Sequence, residues 1–143
     1  MTATLDANIL VFAANEDSVH QDVAQRTIEE LLAADGFVLF WPVVVAYLRV
    51  TTHPRLFRSP LTITLAMEKV RSYISHPNVR TGAERDDFLT LLSDTCRANV
   101  VRGGLVHDAH LIALMRQHDV DTIYTQDSDF LKFKDITVIN PFA

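Results

Sequence analysis

The sequence has little cysteine, glycine or proline, and it has no long apolar run. Cys96 is the only cysteine, so no intramolecular disulfide can form, which fits a reducing compartment. Four glycines and five prolines among 143 residues exclude a collagenous or low-complexity chain. The longest apolar runs, 9–14 and 37–48, are too short or too interrupted to span a membrane. Because the opening MTATLDANIL also lacks the basic start of a signal peptide, we expect a cytoplasmic protein.

An excess of positive charge is absent as well. The net charge of -5 argues against a protein that coats duplex nucleic acid by bulk electrostatics. It does not exclude a nuclease, since acidic metal ligands would themselves make the charge more negative. With 48% hydrophobic and 22% charged residues, the composition is that of a compact globular chain, and the length predicts a single domain over residues 1–143.

The apolar pattern predicts strands that alternate with helices. Strands are predicted at 2–6, 37–41, 79–81, 121–125 and 136–140, and helices at 8–15, 18–34, 42–51, 60–74, 84–98 and 105–118. Ser18 and the Ser59-Pro60 pair are the expected starts of two of these helices. This order predicts an α/β protein with a mostly parallel sheet between two helix layers, a three-layer α/β/α fold. In such sheets, ligands bind beyond the carboxyl ends of the strands.

Acidic residues follow two of the predicted strands. Asp6 ends the first strand, and Asp127 and Asp129 follow TIYT, so a parallel sheet would bring them to one edge. Asp108 lies on a helix stripe with Leu105 and Leu111 and with no basic residue in that turn, and an unpaired carboxylate there is unfavourable. Each acid alone could be a helix cap or a turn residue. Together they predict an acidic cluster that requires a positive charge.

The donor atoms indicate which cation would fit. Carboxylate oxygens without cysteine favour Mg²⁺ or Mn²⁺ over zinc. His107 and His110 flank Asp108, but their spacing matches no closed zinc pattern. We expect the histidines to be surface or capping residues.

Several segments together resemble one known family. LDANIL, PVVVAYLRVTTHPRLF, HDAHLIAL, TQDSDF and ITVINP are similar, in this order and over nearly the whole chain, to the PIN-domain ribonucleases, in particular to VapC-type toxins of VapBC toxin-antitoxin pairs. The resemblance implies a PIN-like fold, an endoribonuclease that uses Mg²⁺ or Mn²⁺, a homodimer and an antitoxin partner. It implies Asp6, Asp108, Asp127 and Asp129 as catalytic metal ligands, with Asn8 and Thr125 as polar helpers.

One position departs from the family pattern. Members usually carry glutamate just before the aromatic-Leu-Arg triplet, whereas this chain reads AYLRV with Ala46 in that place. Alanine cannot ligate a cation, so we expect impaired activity. Ala46 is either a natural loss or an introduced replacement that disarms a toxic enzyme.

Basic residues near these motifs are candidates for RNA contacts. They are Arg49, Arg55, Arg58, Lys132 and Lys134, and each could equally be an ordinary solvated residue. The helix at 60–74 is either a partner surface or simply part of the core.

Two other functions fit parts of the pattern. The fold could serve as a catalytically silent module that binds RNA or antitoxin without cleavage. A receiver-like phosphate-handling domain would need a phospho-accepting aspartate in mid-chain and a lysine that ends the last strand, and the segment ITVIN before Pro141 offers no such lysine.

Overall fold

A computed structural model describes all 143 residues and contains five strands and six α-helices. The strands are β1 (Ala3–Leu5), β2 (Phe37–Phe40), β3 (Val79–Gly82), β4 (Thr122–Tyr124) and β5 (Thr137–Ile139). The helices are α1 (Ala7–Ala14), α2 (Gln21–Ala33), α3 (Trp41–Thr51), α4 (Ile63–Ile74), α5 (Phe88–Ala98) and α6 (Leu105–Gln117), with a 3₁₀ helix at Ser128–Lys132. None of the helices has the length and apolar character that crossing a membrane requires.

The strands form one sheet in the order β3-β2-β1-β4-β5, and every neighbouring pair is parallel. Because crossovers between parallel strands are right-handed as a rule, this strand order predicts α1 to α4 on one face of the sheet and α5 and α6 on the other. The helix contacts agree with this arrangement. Helix α1 packs against α2 and α3, α3 packs against α4, and α5 packs against α6. The predicted three-layer α/β fold is therefore confirmed, with a wholly parallel sheet.

The topology changes direction beside β1. The chain moves from β1 outward to β2 and β3, and then returns to place β4 on the other side of β1. In open parallel sheets, the crevice at such a switch point is the usual ligand site. The residues that follow β1 and β4 therefore lie where a functional site is expected.

The core fills the space on both sides of the sheet. Leu5, Leu39 and Ile123 on the central strands are fully buried, as are Ile9 of α1 and Ile112 of α6. Burial on both faces explains why these strands read as continuous apolar runs rather than as alternating patterns.

Three predicted helix starts are wrong. Helix α5 begins at Phe88 rather than Glu84, because Asp87 has φ +67° and the Arg85 N–H donates to Gln117 Oε1 in the preceding segment. Helix α2 begins at Gln21 rather than Ser18, because the Ser18 hydroxyl accepts the His20 N–H within a preceding turn. Helix α4 begins at Ile63 rather than Pro60, because the Thr62 hydroxyl accepts the Leu65 N–H and thereby caps it.

Candidate active site

Asp6 joins the central strand to the first helix. Its carboxylate Oδ1 accepts the N–H of Ala7 at 2.7 Å and caps α1. Its backbone N–H donates to the Tyr124 carbonyl on β4 at 2.9 Å. The side chain is thus fixed at the switch point of the sheet.

Thr125 ties the ends of β1 and β4 together. Its fully buried hydroxyl donates to Asp6 Oδ2 at 2.7 Å and accepts the Asp127 N–H at 2.9 Å. Asn8 Nδ2 lies 3.2 Å from Asp6 Oδ2 and 3.1 Å from the Thr125 hydroxyl, and Asn8 Oδ1 accepts the Gln126 N–H. The two residues that the resemblance implied as polar helpers therefore hold Asp6 and the turn before Asp127 in a fixed arrangement.

Three further carboxylates meet beside this network. Asp127 Oδ1 caps the 3₁₀ helix by accepting the Asp129 N–H at 2.9 Å. Asp129 forms an exposed ion pair with Lys132 at 3.0 Å. Asp108, from the first turn of α6, has a carboxylate oxygen that lies within 4.8 Å of one oxygen from each of Asp127 and Asp129.

Asp6 and Asp108 face the same small cavity. The cavity has a volume of about 30 Å³, and Ala46 and His107 also line it. Such a volume is enough for about one water-sized species. The side chains of all four predicted acids therefore lie in one region, although Asp6 lies outside the tight group of three.

The clustering changes the titration of two of the acids. Burial, together with the negative charges of Asp127, Asp6 and Asp129, raises the pKa of Asp108 to about 6, against an opposing effect of Lys132. Burial also raises the pKa of Asp6, although hydrogen bonds from Thr125 and Ala7 lower it. Burial is the largest cause of both shifts, and the neighbouring carboxylates add to it.

A hard divalent cation fits these donors. The tight group consists of carboxylate oxygens alone, which is the ligand chemistry that Mg²⁺ and Mn²⁺ prefer. A cation there would oppose the mutual repulsion that raises the pKa of Asp108. Asp108, Asp127 and Asp129 could bind it directly, and Asp6 could do so from the adjoining cavity.

Ala46 leaves one wall of this cavity apolar. It lies on α3 with Pro42 and Val43, across from the acids. A glutamate at this position would place its side chain at the cavity wall, so the structure is consistent with a missing carboxylate.

The remaining predicted residues lie around the site. Lys132, predicted to contact RNA, pairs with Asp129 at the surface. Arg49 lines a groove beside Ala46. Arg55, Arg58 and Lys134 are exposed and form no ion pair.

Sequence reasoning missed one polar pair and one pocket residue. His110 Nε2 lies 2.7 Å from Glu84 Oε1, and this hydrogen bond lowers the pKa of Glu84. His107 lines the acidic cavity. No local signal reveals the His110–Glu84 contact, because it joins residues on separate elements, whereas the adjacency of His107 to Asp108 was visible.

Known proteins resemble the chain along its length. No protein-family model matches the sequence. Ribonuclease VapC48 of Mycobacterium tuberculosis strain H37Rv is 41% identical over 144 residues, which cover 100% of this chain and 99% of the relative. Ribonuclease VapC37 of the same strain is 30% identical and covers 97% of this chain and 96% of the relative.

Solved structures share the fold. VapBC2 from Rickettsia felis, bound to a DNA fragment from their promoter, superposes with a TM-score of 0.71 at 15% identity over 98% of both chains. Mycobacterium tuberculosis VapC20, a Sarcin-Ricin loop cleaving toxin, superposes with a TM-score of 0.65 at 19% identity over 95% of this chain and 99% of that chain. The resemblance seen in the sequence motifs is confirmed by the full-length relatives: the chain belongs to the VapC ribonuclease family.

Proposed function

We propose that this protein is a single-domain endoribonuclease toxin of a type II toxin-antitoxin system that depends on Mg²⁺ or Mn²⁺ and acts on RNA in the cytoplasm. The observation that supports this most directly is the convergence of Asp108, Asp127 and Asp129 within 4.8 Å, beside a cavity that Asp6 shares with Asp108. The relatives named ribonucleases support the reaction class.

The residues of the site have distinct proposed roles. Asp108, Asp127 and Asp129 hold the cation, and Asp6 completes the negative region. Thr125 and Asn8 keep the Asp6 carboxylate oriented through the hydrogen bonds that they make to it. When bound, a divalent cation would make water nucleophilic near neutral pH and offset charge on the phosphodiester. The carboxylates alone would repel RNA.

We further propose that Ala46 weakens this activity. The four aspartates of the site are present, but Ala46 in the cavity wall has no side-chain oxygen that could bind a cation. Loss of one carboxylate lowers the affinity for the cation and also the repulsion within the metal-free site. The second function, a silent module that binds RNA or antitoxin, requires that this loss abolish cleavage altogether.

Cleavage of total cellular RNA, titrated with Mg²⁺ or Mn²⁺, tests the proposal. We expect weak metal-dependent cleavage by the unsubstituted chain and a large gain in the Ala46→Glu variant. Asp108→Asn in the Ala46→Glu background should remove that gain, and EDTA should do the same. If the chain with Ala46 cleaves no RNA at any metal concentration and Ala46→Glu does, this chain is the silent module. If Ala46→Glu folds and binds RNA but never cleaves it, the enzyme proposal fails.

Protein partners belong to the same proposal. We propose a cognate antitoxin and a homodimer, as the resemblance implies, and the VapBC2 neighbour supports a two-protein system. Ile63 and Met67, one turn apart on α4, are exposed apolar residues that suit a protein contact. Light scattering should give a dimer mass for the unsubstituted chain and a monomer mass for Ile63→Glu, and an unchanged mass would place the dimer surface elsewhere.

A further inference from the structure

A second groove adjoins the acidic cavity. It encloses about 340 Å³ and shares Pro42, Ala46 and His107 with the acidic cavity. Its volume lies within the range of about 300–1,000 Å³ that is typical of small-ligand sites. A molecule in the groove would therefore reach directly toward the carboxylates.

The groove has the surface chemistry of a nucleotide site. Trp41, at the start of α3, is 42% exposed, and Val45 one turn later is 62% exposed, so an aromatic and an apolar surface face solvent together. Arg49 follows one further turn along and forms no ion pair. Aromatic faces stack on nucleobases, and an unpaired guanidinium suits phosphate.

Other features of the groove also favour a polar ligand over a purely apolar one. Glu84 and His110, which bond to each other at 2.7 Å, both line it. This pair offers hydrogen-bonding atoms beside the apolar surface of Trp41 and Val45. A nucleoside has this same combination of a flat aromatic face and a polar edge.

We propose that this groove binds one unpaired nucleotide that flanks the RNA phosphate held at the acidic cluster, with its base stacked on Trp41 and a phosphate contacting Arg49. This inference rests on the proposed function, because the neighbouring nucleotide must belong to an RNA at the acidic site. The groove would then determine how the strand approaches that site, and it would require the RNA to be unpaired there.

The fluorescence of Trp41 reports binding in the groove, because Trp41 is the only tryptophan in the chain. The unsubstituted chain is titrated in Ca²⁺, a cation that carboxylate oxygens bind, with short oligoadenylate and, separately, with an oligonucleotide of equal length and charge that has abasic sites throughout. Labelled versions of both report binding independently of tryptophan emission. We expect saturable quenching of Trp41 by oligoadenylate and none by the abasic ligand.

Substitutions separate stacking from charge. Trp41→Leu should weaken oligoadenylate binding about 10-fold, in line with the loss of one base–aromatic stack, and leave the abasic ligand unaffected. Trp41→Phe should retain most of the affinity. Arg49→Gln should weaken both ligands and reduce the salt dependence. Leu89→Ala, at an exposed apolar residue that lines neither cavity, should change nothing.

The outcomes distinguish this inference from the proposed function. If Ala46→Glu cleaves RNA but oligoadenylate binds without quenching Trp41, or does not bind, the nucleotide site is refuted while the enzyme stands. The nucleotide site is also refuted if Trp41→Leu binds oligoadenylate normally, which would leave the groove to a protein such as the antitoxin. Quenching by oligoadenylate without any cleavage by Ala46→Glu would retain the nucleotide site and reject the nuclease.

Discussion

Replacing Asp108 with asparagine should stabilise the metal-free protein. Oxygens of Asp108, Asp127 and Asp129 lie within 4.8 Å of one another. Two unit charges at that separation repel by about 1 kcal/mol in water and about 3.5 kcal/mol at an effective dielectric near 20. Asparagine keeps the shape of the side chain and removes its charge, so this repulsion disappears.

The raised pKa of Asp108 gives a second magnitude, which combines burial with the repulsion from the neighbouring carboxylates. Its rise from 3.8 to about 6 corresponds to about 3 kcal/mol at high pH. Asp108 is only half-buried, so screening by water reduces the expected gain in unfolding free energy to about 1–2 kcal/mol. That gain exceeds the ~0.5 kcal/mol lost because the first turn of α6 favours an acid.

The direction in which stability changes with pH follows from proton binding by Asp108. Because the folded protein holds the Asp108 proton more tightly than the unfolded chain, its stability falls as pH rises from about 4 to about 6. The advantage of Asp108→Asn should therefore be near zero at about pH 4 and complete by about pH 8.

Thermal melts in EDTA across this pH range measure the effect. We expect Asp108→Asn to melt about 3–7 °C above the unsubstituted chain at high pH. Mg²⁺ should raise the melting temperature of the unsubstituted chain and not that of the variant. Asp35→Asn, at an exposed aspartate without a hydrogen-bond partner, is the control and should match the unsubstituted chain. If Asp108→Asn melts lower than the unsubstituted chain at high pH, or responds equally to Mg²⁺, the reasoning is refuted.

Three further substitutions test neighbouring contacts. Thr125→Val should lower the unfolding free energy by about 2–3 kcal/mol in urea denaturation, because the buried hydroxyl has three hydrogen-bond partners. Thr125→Ser should lose much less, and equal losses would contradict this. Lys132→Met should change the unfolding free energy by less than about 0.5 kcal/mol. It should raise the affinity for Mg²⁺ in calorimetry, because Lys132 no longer competes with the cation for Asp129. Weaker Mg²⁺ binding would show that Lys132 supports the site. Gly36→Ala should destabilise the protein by more than about 2 kcal/mol in the same denaturation assay, because Gly36 has φ +72° and an added Cβ would lie 1.7 Å from a backbone oxygen. The control is Gly104→Ala, which should be neutral because an added Cβ there meets open space. Similar losses for both variants would contradict the packing argument.

The sequence predicted the placement of Asp6 and Asp127 because parallel strands share their carboxyl edge. Once β1 and β4 were recognised as strands, the geometry of the sheet determined that their following residues would meet. The position of Asp108 was harder to predict, since it depends on how α6 packs on the sheet. Its place on an apolar stripe indicated an unusual environment without indicating which residues would surround it.

Features that depend on packing between distant elements were not predictable. The groove at Trp41 requires α3 to lie beside the segment that carries Glu84, and no local pattern encodes that arrangement. The start of α2 was misplaced because Ser18 has the chemistry of a cap but uses its hydroxyl in a turn. Local propensity identifies candidate residues, and tertiary contacts decide among them.

The most direct test of the proposed metal site is an anomalous difference map from a crystal of the unsubstituted chain soaked in Mn²⁺. We expect a peak about 2.1 Å from carboxylate oxygens of Asp108 and of at least one of Asp127 and Asp129. Absence of a peak among these carboxylates at saturating Mn²⁺, or a peak only elsewhere on the protein, would contradict the proposed site.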